Sequence, residues 1–341
     1  MPRIEQQYLD CSIYLYRTEA SARAGENAGG SGFLVSVRAK PPFDREFYPM
    51  PRTTVLPPEH IYAVTNRHVA RQGFPVIRLN MIDGQQDVIP LTHEDWIPHP
   101  DGDDLAVVAI ELPKHKHRYY AVTNYSFVKQ VNAFSDYGAG DDTFMVGRFI
   151  NHSGKQRNTP SLRFGSIAML PFEKVKLYDG FMQEAFLVET RSISGFSGSP
   201  VFVYEPRGGS FITESGRESS ITDLVSRPRL LGIDCGHVPK HEKIIDGAGN
   251  PHSDWKVNAN TGMAIVIPAW RLDDLLYRPE LVMQRRQKEQ QDRKQKEEEE
   301  KVVPDVENPQ PPFTRESYEE VLRRASWKMS EPQSKGPDKS D

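Results

Sequence analysis

The sequence predicts an all-β protein of two packed β-barrels, followed by a C-terminal extension that is helical and partly disordered. Three observations carry this. From about residue 8 to 270 the chain is a succession of short apolar runs of four to nine residues, rich in Val, Ile, Phe and Tyr and broken at turn residues. No window of comparable length there sustains a 3.6-residue period, and the runs are too many for one small barrel. After Pro268 the sequence turns amphipathic and then almost wholly charged.

In chain order the expected strands are CSIYLY, GSGFLVSV, IYAVTN, FPVIRLNMI, DLAVVAIEL, TFMVGRFI, GSIAML, AFLVET, SPVFVY, RLLGID and MAIVIP. A Pro-rich insert between Val37 and Tyr62 reads as a long surface loop between paired strands. A second loop, EPRGGSFITESGRESSITDLVSRPR, separates SPVFVY from LLGID and reads as exposed. Past Pro268, the residues Trp270, Leu272, Leu275, Leu276 and Leu281 form the apolar face of a helix expected to dock on the barrels. Residues 276–303 read as a charged helix or a disordered segment. Residues 304–341 read as a Pro-rich linker, a short amphipathic helix and a disordered end. Thr314 is a candidate N-cap of that helix, with Phe313 and Tyr318 as its hydrophobic staple. So short a helix is marginal alone. Its alternatives are docking on its own domain, disorder, or a tether for a partner protein on residues 313–329.

Charge and composition set bounds. Hydrophobic residues make up 37% and charged residues 26% of the chain, more polar than a fully packed domain, which points to an unpacked segment. A net charge of −4 gives no special attraction to nucleic acid or to a membrane surface. No apolar run approaches the roughly 20 residues needed to span a bilayer, and the opening MPRIEQQYLDCSIYLY lacks the pattern of a signal peptide. Only two cysteines occur, Cys11 and Cys235, which suits a reducing cytoplasm rather than a disulfide scaffold. No Cys/His metal spacing and no Gly-rich phosphate loop occurs, so no cofactor is expected.

Three separated stretches carry chemistry. TRSISGFSGSPVF holds Ser192, Ser194, Ser197 and Ser199; alone, it reads as a polar turn. IYAVTNRHVA places His68 after a strand and a turn, where a lone histidine is ordinarily structural. HPDGDDLAVVAIEL places Asp104 where a polar turn becomes an apolar strand, which is ordinary turn chemistry. Taken together, a His, an Asp and a Ser, each beside a strand, form the set that acyl transfer by serine requires. An imidazole takes the hydroxyl proton, and a carboxylate fixes the imidazole tautomer and stabilises its cation. Backbone N–H groups aimed at the oxyanion contribute about 3–4 kcal/mol per donor.

GSGFLV, TNRHVA, DDLAVVAI, GFSGSPVF, LLGIDCG and GMAIVIP, in that order, resemble the trypsin-like serine peptidases of the chymotrypsin fold, most of all their bacterial, intracellular-type members. The resemblance covers roughly residues 10 to 275 and implies a peptidase domain over 1–275, made of two six-stranded-type barrels with the active site between them. It implies His68 as general base, Asp104 as its orienting carboxylate and Ser197 as nucleophile, with Asp103 as the competing neighbour of Asp104. The N–H groups of Gly195 and Ser197 match the oxyanion hole, and Ser199 matches a small structural position. Arg191, Ser192, Ser194, Asp234 and His237 fall around the P1 side-chain pocket. There Arg191 and Asp234 either neutralise each other or select the opposite charge, and the sequence leaves that open.

The sequence departs from the family pattern in three places. Phe196 stands where digestive members carry the aspartate that pairs with a new N-terminus, so no N-terminal zymogen switch is expected. Cys235 stands where a small polar residue usually supports the triad carboxylate, and a thiol donates more weakly than a hydroxyl. The residues after 275 are too few and too charged for a folded PDZ domain. The leading expectation is a serine endopeptidase acting on protein or peptide substrates. The alternative is a catalytically silent module of the same fold that recruits a partner through its tail. An esterase of another fold would need a G-x-S-x-G elbow and alternating helices, which this sequence lacks.

Overall fold

A computed structural model of the chain describes residues 3–38, 58–149, 154–177, 179–190, 195–204, 210–212, 218–220, 228–245 and 251–302. All eleven expected strands are present. The first sheet contains β1 (Ser12–Tyr16), β2 (Gly30–Arg38), β3 (Glu59–Thr65), β4 (Val76–Asn80), β5 (Gln86–Ile89), β6 (Ile97–Pro98), β7 (Ala106–Ile110) and β8 (Val122–Thr123). Its order is β5-β4-β1-β2-β3-β7-β6, with β8 lying parallel beside β2.

The second sheet is a closed barrel. Its strands are β9 (Asp142–Gly147) and β10 (Ser161–Met169), then, past the short hairpin β11 (Val175–Lys176) and β12 (Met182–Gln183), β13 (Phe186–Glu189) and β14 (Pro200–Tyr204). A separate hairpin of β15 (Ser210–Ile212) and β16 (Glu218–Ser220) precedes the final pair, β17 (Pro228–Ile245) and β18 (Pro251–Pro268). The barrel runs β10-β13-β18-β17-β14-β9, and β9 pairs β10 to close it. The chain is therefore an all-β, chymotrypsin-like double-barrel protein in which hydrogen bonds close the second barrel and leave the first an open path. The β17–β18 hairpin extends well past RLLGID and MAIVIP through polar sequence that periodicity did not mark as strand.

One apolar cluster joins the two sheets. Phe33 and Val35 of β2 and Tyr62 and Val64 of β3 share it with Phe144, Phe202, Ile233 and Ile265 of the closed barrel. Tyr8 belongs to it, its ring edge-on to Phe144 at 5.7 Å and to Phe202 at 5.1 Å. Each such pair adds about 1 kcal/mol to the burial of the rings themselves, which fixes how the sheets face each other.

Four short helices interrupt the β pattern: α1 (Gln6–Asp10), α2 (Glu19–Ala24), α3 (Arg67–Arg71) and α4 (Gln130–Asp136). At five to seven residues they are too short to show a helical period in sequence. α5 (Ala269–Leu276) buries Trp270, Leu272, Leu275 and Leu276, the face its spacing predicts. α6 follows over Pro279–Val302, and Leu281 at its start is buried. Arg285 also is buried there, donating to Tyr62 Oη at 3.0 Å and to the Leu276 carbonyl at 2.9 Å. The chain divides into two compact units at Arg286. Residues 39–57 of the Pro-rich insert, most of the loop between β14 and β17, and the tail helix with Phe313, Thr314 and Tyr318 lie outside the described residues, while the ends of the insert continue β2 and begin β3. No helix of the described residues is long and apolar enough to cross a membrane.

Candidate active site

His68 lies on α3, directly after β3. Asn66 precedes the helix, and its side-chain amide donates to the Asp104 carbonyl at 2.9 Å. This ties the end of β3 to the turn before β7. Asp104 then meets His68 twice: Oδ2 lies 2.5 Å from the imidazole Nδ1, and Oδ1 accepts the His68 backbone N–H at 2.8 Å. A carboxylate held on both atoms fixes the ring with Nε2 pointing away from it. Asp104 is 5% exposed, and its own N–H donates to Gln183 Oε1 at 3.3 Å. Gln183 is fully buried, at the end of β12.

Asp103 takes a different role. Its carboxylate accepts Arg271 Nε of α5 at 2.5 Å and faces His99 Nδ1 at 3.6 Å. Arg271 reaches Asp101 and Asp274 as well. Burial lowers the Arg271 pKa, but the hydrogen bonds it donates to Asp103 and Asp101 outweigh it and raise the value overall. The two adjacent acids are thus divided between the imidazole and a helix clamp.

The segment Gly195–Pro200 is buried except for Ser197, which alone is partly open to solvent. Two turns of positive φ, at Gly195 (+95°) and Gly198 (+88°), shape it. Ser31 of β2 anchors it through its N–H and its hydroxyl, and its carbonyl is engaged by β3. Its N–H donates to the Ser197 carbonyl at 3.0 Å, and its hydroxyl donates to the Gly195 carbonyl at 2.8 Å. That hydroxyl also accepts the Arg148 N–H at 2.9 Å, and the Ser31 carbonyl accepts the Thr65 hydroxyl at 2.8 Å. Gly198 N–H donates to the Asp234 carbonyl at 2.8 Å, and Asp234 N–H returns to the Ser199 carbonyl at 2.9 Å. The N–H groups of Gly195 and Ser197 donate to no described backbone carbonyl. Serine and imidazole are therefore carried on segments locked to the same strand ends. No hydrogen bond joins Ser197 Oγ to His68 among the described residues.

Arg148 completes the setting. A Cβ at Gly195 would stand 2.5 Å from its Nη2 and 3.0 Å from its Cζ, so the guanidinium packs close against that glycine. Burial lowers the Arg148 pKa. Sequence reasoning missed Ser31, Arg148 and Gln183; only Ser31 left a signal, inside the GSGFLV motif.

Phe196 is fully buried in the barrel core, with Arg163 over its ring at 4.9 Å. Ser199 is fully buried. Cys11 and Cys235 are both buried and form no disulfide. Burial, then the charges of Asp104 and Asp234, push the Cys235 thiol pKa up. Among the other pocket residues, Asp234 is fully buried on β17 and His237 is half-buried on the same strand. Arg191, Ser192 and Ser194 lie outside the described residues.

No family model and no curated protein matches the chain. Solved structures similar to it include the MamO protease domain from Magnetospirillum magneticum in its apo form, at 14% identity and a TM-score of 0.43, covering 81% of this chain and 100% of that one. The HtrA-type protease AlgW with a decapeptide is similar at 15% identity and a TM-score of 0.39, over 78% of this chain and 63% of that one. Deg5 is similar at 18% identity and a TM-score of 0.32, over 59% of this chain and 81% of that one.

Proposed function

We propose that the chain is a serine endopeptidase that hydrolyses peptide bonds of protein substrates through an acyl-enzyme. The observation that supports the reading is the double contact of Asp104 with His68, together with the partial exposure of Ser197, the one residue of the turn 195–200 open to solvent. In the forward step His68 Nε2 takes the Ser197 Oγ proton as Oγ bonds to the substrate carbonyl carbon. The oxyanion so formed accepts the N–H groups of Gly195 and Ser197. The imidazolium, stabilised by Asp104, then protonates the leaving amine as the C–N bond breaks. Water repeats the sequence on the acyl-enzyme and releases the acid. Phe196, buried and uncharged, supports a mechanism without an N-terminal zymogen pair.

A second reading, a catalytically silent module of the same fold, is favoured by one observation: Ser197 Oγ and His68 are not hydrogen-bonded. Such bonds are commonly long without substrate and tighten in the complex. A serine-reactive phosphonate probe separates the readings. Labelling of the wild type that Ser197→Ala abolishes supports the peptidase. Labelling that persists in Ser197→Ala excludes Ser197 as the nucleophile, and no labelling of either favours the silent module.

A further inference from the structure

Beside the imidazole lies a cavity of about 240 Å³ lined by Arg67, His68, Arg71, Asp104, Leu177 and Asp179. We propose that this cavity is a subsite for an acidic side chain, Asp or Glu, in a substrate residue next to the scissile bond. The proposal rests on the peptidase reading for its position and on charge for its specificity.

Arg67 and Arg71 stand four residues apart on α3, so their side chains lie on one helix face, bracketing the position of His68. Neither forms an ion pair among the described residues. Like charges at that spacing repel, so the fold gains nothing from the pair by itself. The acids in the same wall do not neutralise them. Asp104 is engaged by His68, and Asp179 is exposed and accepts the Phe181 N–H at 3.0 Å. Asp104 is 5% exposed with both its oxygens turned to His68, so the wall open to a ligand carries two guanidinium groups against one carboxylate, Asp179. A guanidinium presents a planar fork that matches a carboxylate on both oxygens, which a lysine cannot do. Leu177, buried at 7% exposure, offers an apolar wall for the methylenes of a glutamate.

The test uses peptides identical but for Glu, Gln or Lys at positions flanking the cleaved bond. Cleavage is measured as kcat/KM on the wild type, and binding by fluorescence anisotropy on Ser197→Ala, which holds peptides without turning them over. The Glu peptide should be preferred over the Lys peptide by about tenfold in both measurements, and the preference should weaken as salt is raised. In Arg67→Ala/Arg71→Ala the Glu-to-Lys ratio should fall about tenfold, and in Arg67→Glu/Arg71→Glu it should invert. Should these variants misfold, the salt dependence of the wild-type ratio stands as the test. Equal rates for the three peptides, or a ratio that survives loss of both arginines, would overturn the proposal while leaving the peptidase reading intact. Arginine-dependent binding of the Glu peptide without cleavage of any peptide would sustain the subsite and remove the peptidase.

Discussion

The Ser31 hydroxyl donates to the Gly195 carbonyl at 2.8 Å, across 164 residues of sequence and from one sheet to the other. The same oxygen accepts the Arg148 N–H, so one hydroxyl ties the Gly195 backbone to that of Arg148. Ser31→Ala leaves a buried carbonyl and a buried N–H without this partner, at a cost of about 1–3 kcal/mol. Because the carbonyl belongs to Gly195, we expect kcat to fall by about tenfold with KM changed less than about twofold. Steady-state peptide cleavage and the rate of phosphonate labelling measure this. A lower melting temperature with unchanged kcat would show that Ser31 is only structural.

Gly195 and Gly198 both have positive φ, yet alanine at the two positions should differ. At Gly198 a Cβ would press on the Ser31 carbonyl, which cannot move without displacing β2, and stand 2.5 Å from Thr65 Oγ1. At Gly195 it would meet the far end of the Arg148 side chain rather than backbone, so less of the fold has to shift. Left-handed backbone costs an L-residue about 1–2 kcal/mol at either site. Gly198→Ala should therefore lose at least about 1 kcal/mol more than Gly195→Ala. Urea unfolding of the two variants checks it, and equal losses would contradict the assigned contacts.

Asp103 and Asp104 are adjacent in sequence and opposite in consequence. Asp104→Asn cannot hold the imidazole with the correct tautomer, and kcat should fall by about 10⁴ with stability little changed. Asp103→Asn weakens the Arg271 clamp on the same turn, and should cost about 1–2 kcal/mol of stability with kcat within about tenfold of wild type. Thermal unfolding and kcat, measured on both variants, give a crossed pattern if the division of labour is right. A larger kcat loss in Asp103→Asn would reverse the assignment.

The sequence made eleven of the strands legible, and the motifs that hold His68, Asp104 and Ser197, because those features are local: apolar runs and short motifs. What it hid is non-local. Ser31 lies in a quoted motif, but its role needs Gly195, Ser197, Arg148 and Thr65 to converge on it. Arg78, inside the apolar run FPVIRLNMI, is fully buried, with its guanidinium over Tyr16 at 4.9 Å and bonded to Asn158 Oδ1 at 2.7 Å. No rule of alternation anticipates a buried cation whose recorded partners are carbonyls and an amide. The helix bearing His68 is five residues long, below the length at which periodicity speaks.

Acid should unfold the first sheet partly through Asp87. Burial alone would raise its pKa, but hydrogen bonds from Lys116 at 2.7 Å, His117 Nε2 at 2.8 Å and the Val88 N–H outweigh it and bring the value from 3.8 to about 2. A carboxylate with a depressed folded pKa is protonated first in the unfolded chain. Its contribution is complete above about pH 4 and is lost as pH falls from there to about 2. The side chain is 25% exposed, so solvent screening reduces the contribution to about 1 kcal/mol. Asp87→Asn should therefore be less stable than wild type by about that amount at about pH 6, and the two should converge as pH approaches about 2. Urea unfolding across that range measures the gap; a gap that stays constant with pH would show that Asp87 contributes by packing rather than by charge.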